Sequence, residues 1–248
     1  MLCIGIDLSW TGRRPSGFAV IDPAAGSLRS WTAILSPSDV ARWLNGLGSA
    51  VAGIDAPLVL EPSRSAEADL RRTLGRFGVG AFQAGEGFLE RHGLQAGPAL
   101  AALLRAAGWV LAPPPVTCTG NRHAFETFPR GLAVTLLGAS RPPEYKRGPI
   151  ADRARGLGQY RDLLRRTLTV RGLRLDVELP GSEAGGCPAG RLLKELEDRL
   201  DAIACALAAL EVAENGASPA DRFGDPLSGE IVLPGASRLT SARAPSSP

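Results

Sequence analysis

The tripeptide Gly-Ile-Asp occurs twice, and each time it closes an apolar run: Leu2-Cys3-Ile4-Gly5-Ile6-Asp7 and Val51-Ala52-Gly53-Ile54-Asp55. Strands fed by aliphatic residues on both faces belong in the middle of a sheet, where a carboxylate is costly unless it is paired or binds a metal. Farther along, Asp198 and Asp201 stand one turn apart on a predicted helix, so both project from roughly one face. The small residues Ala202 to Ala206 that follow would let this helix pack closely on a sheet and bring its acids beside Asp7 and Asp55. Glu126 ends a third apolar stretch, His123-Ala124-Phe125.

Carboxylates gathered this way repel and raise one another's pKa unless a cation neutralises them. His92 and His123 are the only histidines, so the donor set is oxygen and the expected ion is Mg²⁺ or Mn²⁺. Two such ions about 4 Å apart can activate a water and stabilise the leaving oxygen in phosphodiester cleavage. That chemistry is a nuclease's. Each acid also has a plainer reading: a turn residue for Asp7 or Asp55, a solvated helix face for Asp198 and Asp201, and a surface acid before a helix start for Glu126.

Cations that could hold phosphates occur at Tyr145-Lys146-Arg147 and along the segment carrying Arg153, Arg155, Arg161, Arg165 and Arg166. For most of these an ordinary solvated face is the better reading. Lys146 is singled out because only it and Lys194 are lysines among 28 basic residues. Trp10, just past Asp7, could stack on a base, although an aromatic residue near a first turn is more often packing. The glycine-rich stretch from Gly75 to Gly87 lacks the order of a P-loop, and no G-x-S-x-G elbow is present.

Positioning these residues requires a sheet. Strands are predicted at Leu2 to Ile6, Phe18 to Ile21 and Ser30 to Leu35, forming an antiparallel meander. Ser36-Pro37-Ser38-Asp39 supplies helix-start chemistry for a short amphipathic helix ending near Gly46 or Gly48, and a fourth strand follows at Val51 to Ile54. This β-β-β-α-β order can return the fourth strand parallel to the first, making Asp7 and Asp55 neighbours. Residues 61–100 read as an inserted helix and loop containing Phe77, Phe82 and Phe88. Ala99 to Ala107 reads as a helix, and short strands at Trp109 to Leu111 and His123 to Phe125 flank a turn from Pro113 to Pro115. Helices are expected at Ile150 to Leu168 and, with leucines at helical spacing, at Leu192 to Ala213, separated by a glycine-rich loop from Gly181 to Gly190. Residues 1–235 form one expected domain, and 236–248 a disordered tail.

A chain of 248 residues with 44% hydrophobic content can bury a large α/β core. The formal charge of +3 argues against a high-affinity, nonspecific duplex binder. Cys3, Cys118, Cys187 and Cys205 are dispersed without a C-x-x-C pair, so neither a zinc site nor a disulfide framework is expected. With no apolar stretch long enough to span a bilayer and no basic n-region after Met1, the expectation is a reduced, cytoplasmic protein without a membrane partner. Oligomeric state stays open, a homodimer included.

The set Gly5-Ile6-Asp7-Leu8-Ser9-Trp10, Gly53-Ile54-Asp55-Ala56-Pro57-Leu58, Glu126-Thr127-Phe128-Pro129, Tyr145-Lys146, Asp198-x-x-Asp201-Ala202 and Gly229 to Pro234 resembles the DUF429 family in order and coverage. Members of that family are predicted nucleases with a ribonuclease H-like fold. The resemblance implies a central mixed sheet, an antiparallel three-strand meander plus parallel strands, flanked by helices. It assigns the metal to Asp7, Asp55, Asp198 and Asp201, with Glu126 and Lys146 peripheral, and nucleic acid, DNA or RNA, as substrate. The paired helix acids look most like the Holliday-junction resolvase branch. Arg64 is the corresponding substrate contact, but here Glu67 stands where the family carries Asp, and Phe128 replaces its Tyr. Two other readings compete: a non-catalytic scaffold, and an actin-like phosphotransferase, for which no second phosphate hairpin is found.

Overall fold

The computed structural model describes residues 1–11, 14–81, 84, 93, 95–115, 120–175 and 190–241. Strands β1 (Leu2–Asp7), β2 (Ser16–Asp22) and β3 (Ser27–Ala33) form the antiparallel meander. Helix α1 (Pro37–Asn45) then leads to β4 (Ala50–Asp55), which lies parallel to β1. Strand β5 (Arg122–Glu126) extends the sheet parallel to β4, giving the order β3-β2-β1-β4-β5. This mixed five-stranded sheet, flanked by helices, is an α/β fold consistent with the ribonuclease H-like architecture.

Local chemistry sets the elements. Ser36 accepts the Asp39 amide while Asp39 accepts from the Ser36 backbone, and Pro37 occupies the first turn, so α1 starts where a capping box requires. The interior strands β1 and β4 carry no polar side chain before their terminal aspartates, as central strands demand.

One sheet face buries Ile4, Ile6 and Ile54 under α1 and α3 (Ala96–Ala106), through Val40, Leu44, Leu100 and Leu104. The opposite face carries α6 (Gly190–Asn215), the longest helix among the described residues. Gly5, Gly17 and Gly53 sit beneath it. A Cβ on Gly5 would lie 1.8 Å from Ala202 O, on Gly17 1.9 Å from Asp198 O, and on Gly53 2.6 Å from Cys205 O. The glycine of each Gly-Ile-Asp therefore lets the helix backbone rest on the sheet, and the aspartate two residues on points to the same face. Small residues on both partners make the contact.

Several boundaries differ from expectation. The third strand starts at Ser27, paired with Asp22, rather than at Ser30. Trp109 to Leu111 contributes only a single bridge, Val110 to His123, instead of a strand. Helix α2 (Ala66–Leu74) lies in the expected insertion, whereas Phe82 and Phe88 lie outside the described residues, as do Cys118 and Cys187. Cys3 and Cys205 are buried free thiols. Helix α4 (Pro129–Thr135) follows β5, α5 (Ile150–Val170) matches its expected span, and β6 (Arg222–Asp225) pairs with β7 (Gly229–Val232) in an unanticipated hairpin. The expected tail is corrected at its start: α7 (Ala236–Ser241) is helical, held by the Ser237 amide donating to Asp221, and residues 242–248 lie outside the described set. No described helix is long and apolar enough to cross a membrane.

Candidate metal centre

The parallel register pairs Gly5 with Gly53 and Asp7 with Asp55 across adjacent strands. Asp201 descends from α6 to meet them, and one carboxylate oxygen from each of Asp7, Asp55 and Asp201 lies within 4.8 Å of the other two. The strand acids are half-buried and Asp201 is fully buried. Asp198 stands one turn earlier, within hydrogen-bonding reach of Asp7, but its Oδ1 is 2.7 Å from Lys194 Nζ. Thus three of the four expected ligands converge, and the fourth sits at the edge with a cationic partner.

Asp201 is positioned from two sides. Tyr145 donates its hydroxyl to Asp201 Oδ1 at 2.7 Å, and Lys146 Nζ lies 2.7 Å from Oδ2. Helix α5 holds this Tyr-Lys pair in place. Tyr160 stacks on Tyr145 with ring centroids 4.8 Å apart, Arg153 Nε donates to Tyr145 O, and Gly156 admits the Glu144 carbonyl, which would meet a Cβ at 2.1 Å. The arginines of α5 mostly serve structure: Arg155 pairs with Asp152, Arg161 and Arg165 with Asp162, and Arg153 with Glu197.

Two participants escape a reading of the sequence alone. Glu197 is buried and receives Lys194, Arg153 and, at 3.7 Å, Lys146; Lys194 bridges Glu197 and Asp198. The signal was present, since both lysines of the chain meet at this one cluster and Lys194 precedes Glu197 and Asp198 by one helical turn.

Burial pushes the Asp7 carboxyl well above the usual carboxylate range, with Asp201, Asp55 and Asp198 adding to the effect against Lys146. Burial likewise raises Asp55 to about 7, opposed mainly by Lys146. Asp198 is raised by burial against the pull of Lys194. Burial disfavours the Lys146 charge, but Asp201, Asp7 and Asp55 outweigh it and hold the ammonium firmly protonated. The cluster is short of positive charge. Its carboxylates Asp7, Asp55, Glu197, Asp198 and Asp201, when all are ionised, outnumber Lys146, Lys194 and Arg153 by two.

Glu126 and Arg64 form a pair beside the centre, and Glu126, with Glu67, lines the same cavity. Arg64 donates to both oxygens of Glu126, at 3.1 and 2.6 Å, to Glu67 and to Val59 O, while the Leu58 amide donates to Glu126 Oε2. Arg64 is 2% exposed at its side chain, so its guanidinium is committed to protein groups rather than offered to a substrate. Glu126 is neither a surface acid nor one of the converging ligands. Burial raises its carboxyl to about 7 against the lowering effect of Arg64. Together this pair ties β5 to the loop that follows Asp55. Gly229 of β7, at φ +120°, packs where its Cβ would lie 2.4 Å from Arg64 Nη1.

A cavity of about 450 Å³ opens over the acids, lined among others by Asp7, Trp10, Asp55, Phe128, Lys146 and Lys194. Of the sequence-singled substrate contacts, Trp10 and Lys146 reach it; Arg64 does not line it.

A mixed sheet whose parallel strands end in an acidic centre, with a helix laying a third carboxylate upon it, defines an α/β protein built around one strand-end site. The chain belongs to the family described as "Protein of unknown function (DUF429)", whose model matches residues 5–223. No curated protein and no solved structure gives a significant match.

Proposed function

We propose that this chain is a metal-dependent nuclease that hydrolyses phosphodiester bonds of nucleic acid at the Asp7, Asp55 and Asp201 centre. The observation that carries the reading is the convergence of three carboxylate oxygens within 4.8 Å at the sheet end.

The donor set suits a hard divalent ion: oxygen only, at a strand end, with Asp201 Oδ2 buried and lacking an aligned hydrogen bond although Lys146 Nζ is close. With every acid ionised, that excess of two negative charges matches one resident ion, and a second would need the charge of a substrate phosphate. Bound there, Mg²⁺ or Mn²⁺ would supply water activation and charge stabilisation at phosphoryl oxygens. The protein's own groups do the rest. Tyr145 and Lys146 fix the orientation of Asp201, and the half-exposed Lys194 offers an ammonium to a phosphate entering the cavity. Walls from Trp10, Phe128 and Ile231 limit water around the reacting group.

One observation favours a second reading. Lys146 already places a cation 2.7 Å from Asp201, so a non-catalytic binding protein could keep these acids with lysines alone. A cleavage screen with Mg²⁺ or Mn²⁺ over single-stranded, duplex and branched DNA and RNA decides between them. The nuclease reading expects metal-dependent hydrolysis that Asp7→Asn abolishes; undiminished cleavage by Asp7→Asn, or none on any of these substrates, refutes it.

A further inference from the structure

The shape of the cavity over the acids restricts what can enter it. At about 450 Å³ it falls within the roughly 300–1,000 Å³ range of pockets that enclose one small molecule. A duplex presents its phosphates along an outer surface with bases stacked inside, and binding it calls for an open track of cations. On α5, the most arginine-rich described helix, Arg155, Arg161 and Arg165 are paired with carboxylates of the same helix. Four cations line the cavity beside its acids: Lys146, Lys194, Arg130 and Arg14, the last without an ion pair among the described residues.

The walls are apolar where the floor is acidic. Trp10 packs against the core on the α1 side of the sheet and Phe128 against the core on the α6 side, and both reach the cavity, where Ala81, Ala84 and Ile231 add apolar wall beside Glu67 and Glu126. Aromatic faces beside cations and a carboxylate centre form a site for a flat base, a sugar and a phosphate together. Stacking on aromatic side chains requires a base released from its helix.

Resting on the nuclease reading for its phosphate end, we propose that this cavity takes one unpaired nucleotide, with the phosphate at the acidic centre and the base against Trp10 and Phe128. The nucleotide is either free or the exposed unit of a single strand. A blunt helix, with every base stacked and paired, offers no free base to these aromatic faces.

Equilibrium binding of the full chain, with EDTA and with Mg²⁺, to a nucleoside 5′-monophosphate, a short single strand and a blunt duplex of the same sequence tests this. The expected result is single-strand binding at least about tenfold tighter than blunt-duplex binding, with Trp10→Ala weakening it at least about fivefold and Trp10→Phe restoring most of the loss. Tighter binding of the monophosphate than of the strand identifies the free nucleotide as the ligand. Phe128→Ala gives a second, independent aromatic test should Trp10→Ala fold poorly. Equal affinity for the blunt duplex, or undiminished binding by both alanine variants, overturns the proposal. Parallel cleavage assays separate it from the nuclease reading. Single-strand binding without Asp7-dependent cleavage keeps the pocket and removes the nuclease, whereas equal cleavage of blunt duplex and single strand does the reverse.

Discussion

One methyl group placed on Gly5 tests how the acidic centre is assembled. A Cβ there would stand 1.8 Å from Ala202 O and 2.3 Å from Ala206 N, whereas ordinary contact begins near 3.4 Å. Helix α6 would have to retreat by the difference, about 1.6 Å, and backbone cannot rotate aside as a side chain can. Overpacking of this kind costs about 1–3 kcal/mol, and a clash against main chain belongs at or beyond the upper end. At roughly 2–4 °C per kcal/mol for a chain of this size, the melting temperature of Gly5→Ala should fall by about 6 °C or more. Because Asp201 rides on α6, the same retreat pulls its carboxylate from Asp7 and Asp55, and stabilisation by Mn²⁺ should vanish as well. Gly53→Ala, with 2.6 Å to Cys205 O, should show a smaller version of both effects, and the exposed Gly48→Ala, with nothing within 4 Å, neither. Thermal denaturation with and without Mn²⁺ reads all three. If Gly5→Ala melts with the wild type and keeps its Mn²⁺ shift, the close helix–sheet approach does not build the site.

Titration of the strand acids gives a second expectation. Asp55 is raised from 3.8 to about 7, so its contribution to stability is full below 3.8 and is lost as pH climbs through about 7. In EDTA the melting temperature should therefore fall from pH 5 to pH 8, and the increment from Mg²⁺ should grow over that interval because ligation needs the ionised carboxylates. Glu126, also raised to about 7, adds to the EDTA slope but not to the metal-dependent part; a Mg²⁺ increment independent of pH contradicts the assignment. Arg64→Ala strands Glu126 and Glu67 in the interior, and breaking such a pair from one side costs about 3–5 kcal/mol. Denaturant unfolding should show that loss, with part recovered in Arg64→Ala/Glu126→Gln; a change below about 1 kcal/mol would deny the strut role.

Much of this arrangement could be read from local pattern. The doubled Gly-Ile-Asp, the capping box at Ser36 and the Asp198 and Asp201 pair are each written within a few residues, and the structure brings Asp7, Asp55 and Asp201 together. Why glycine precedes each strand aspartate was hidden, because its partner is the backbone of a helix some 150 or more residues later. The partner of Glu126 is invisible locally for the same reason: Arg64, which occupies both its oxygens, lies 62 positions away. The β6–β7 hairpin has strands of only four residues, too short for a periodic signal, and is set by long-range contacts such as Thr127 Oγ1 donating to Val232 O. Lys194 and Glu197 carry no local signal of burial, because charged residues on a helix ordinarily face water.

The claim beneath all of this is that Asp7, Asp55 and Asp201 form one divalent-cation site. Calorimetric titration of Mn²⁺ into the wild type and Asp201→Asn at pH 8 tests it most directly. The geometry predicts saturable binding by the wild type, with protons released in the process, and its loss in Asp201→Asn. No binding by the wild type, or equal binding by the variant, would contradict it.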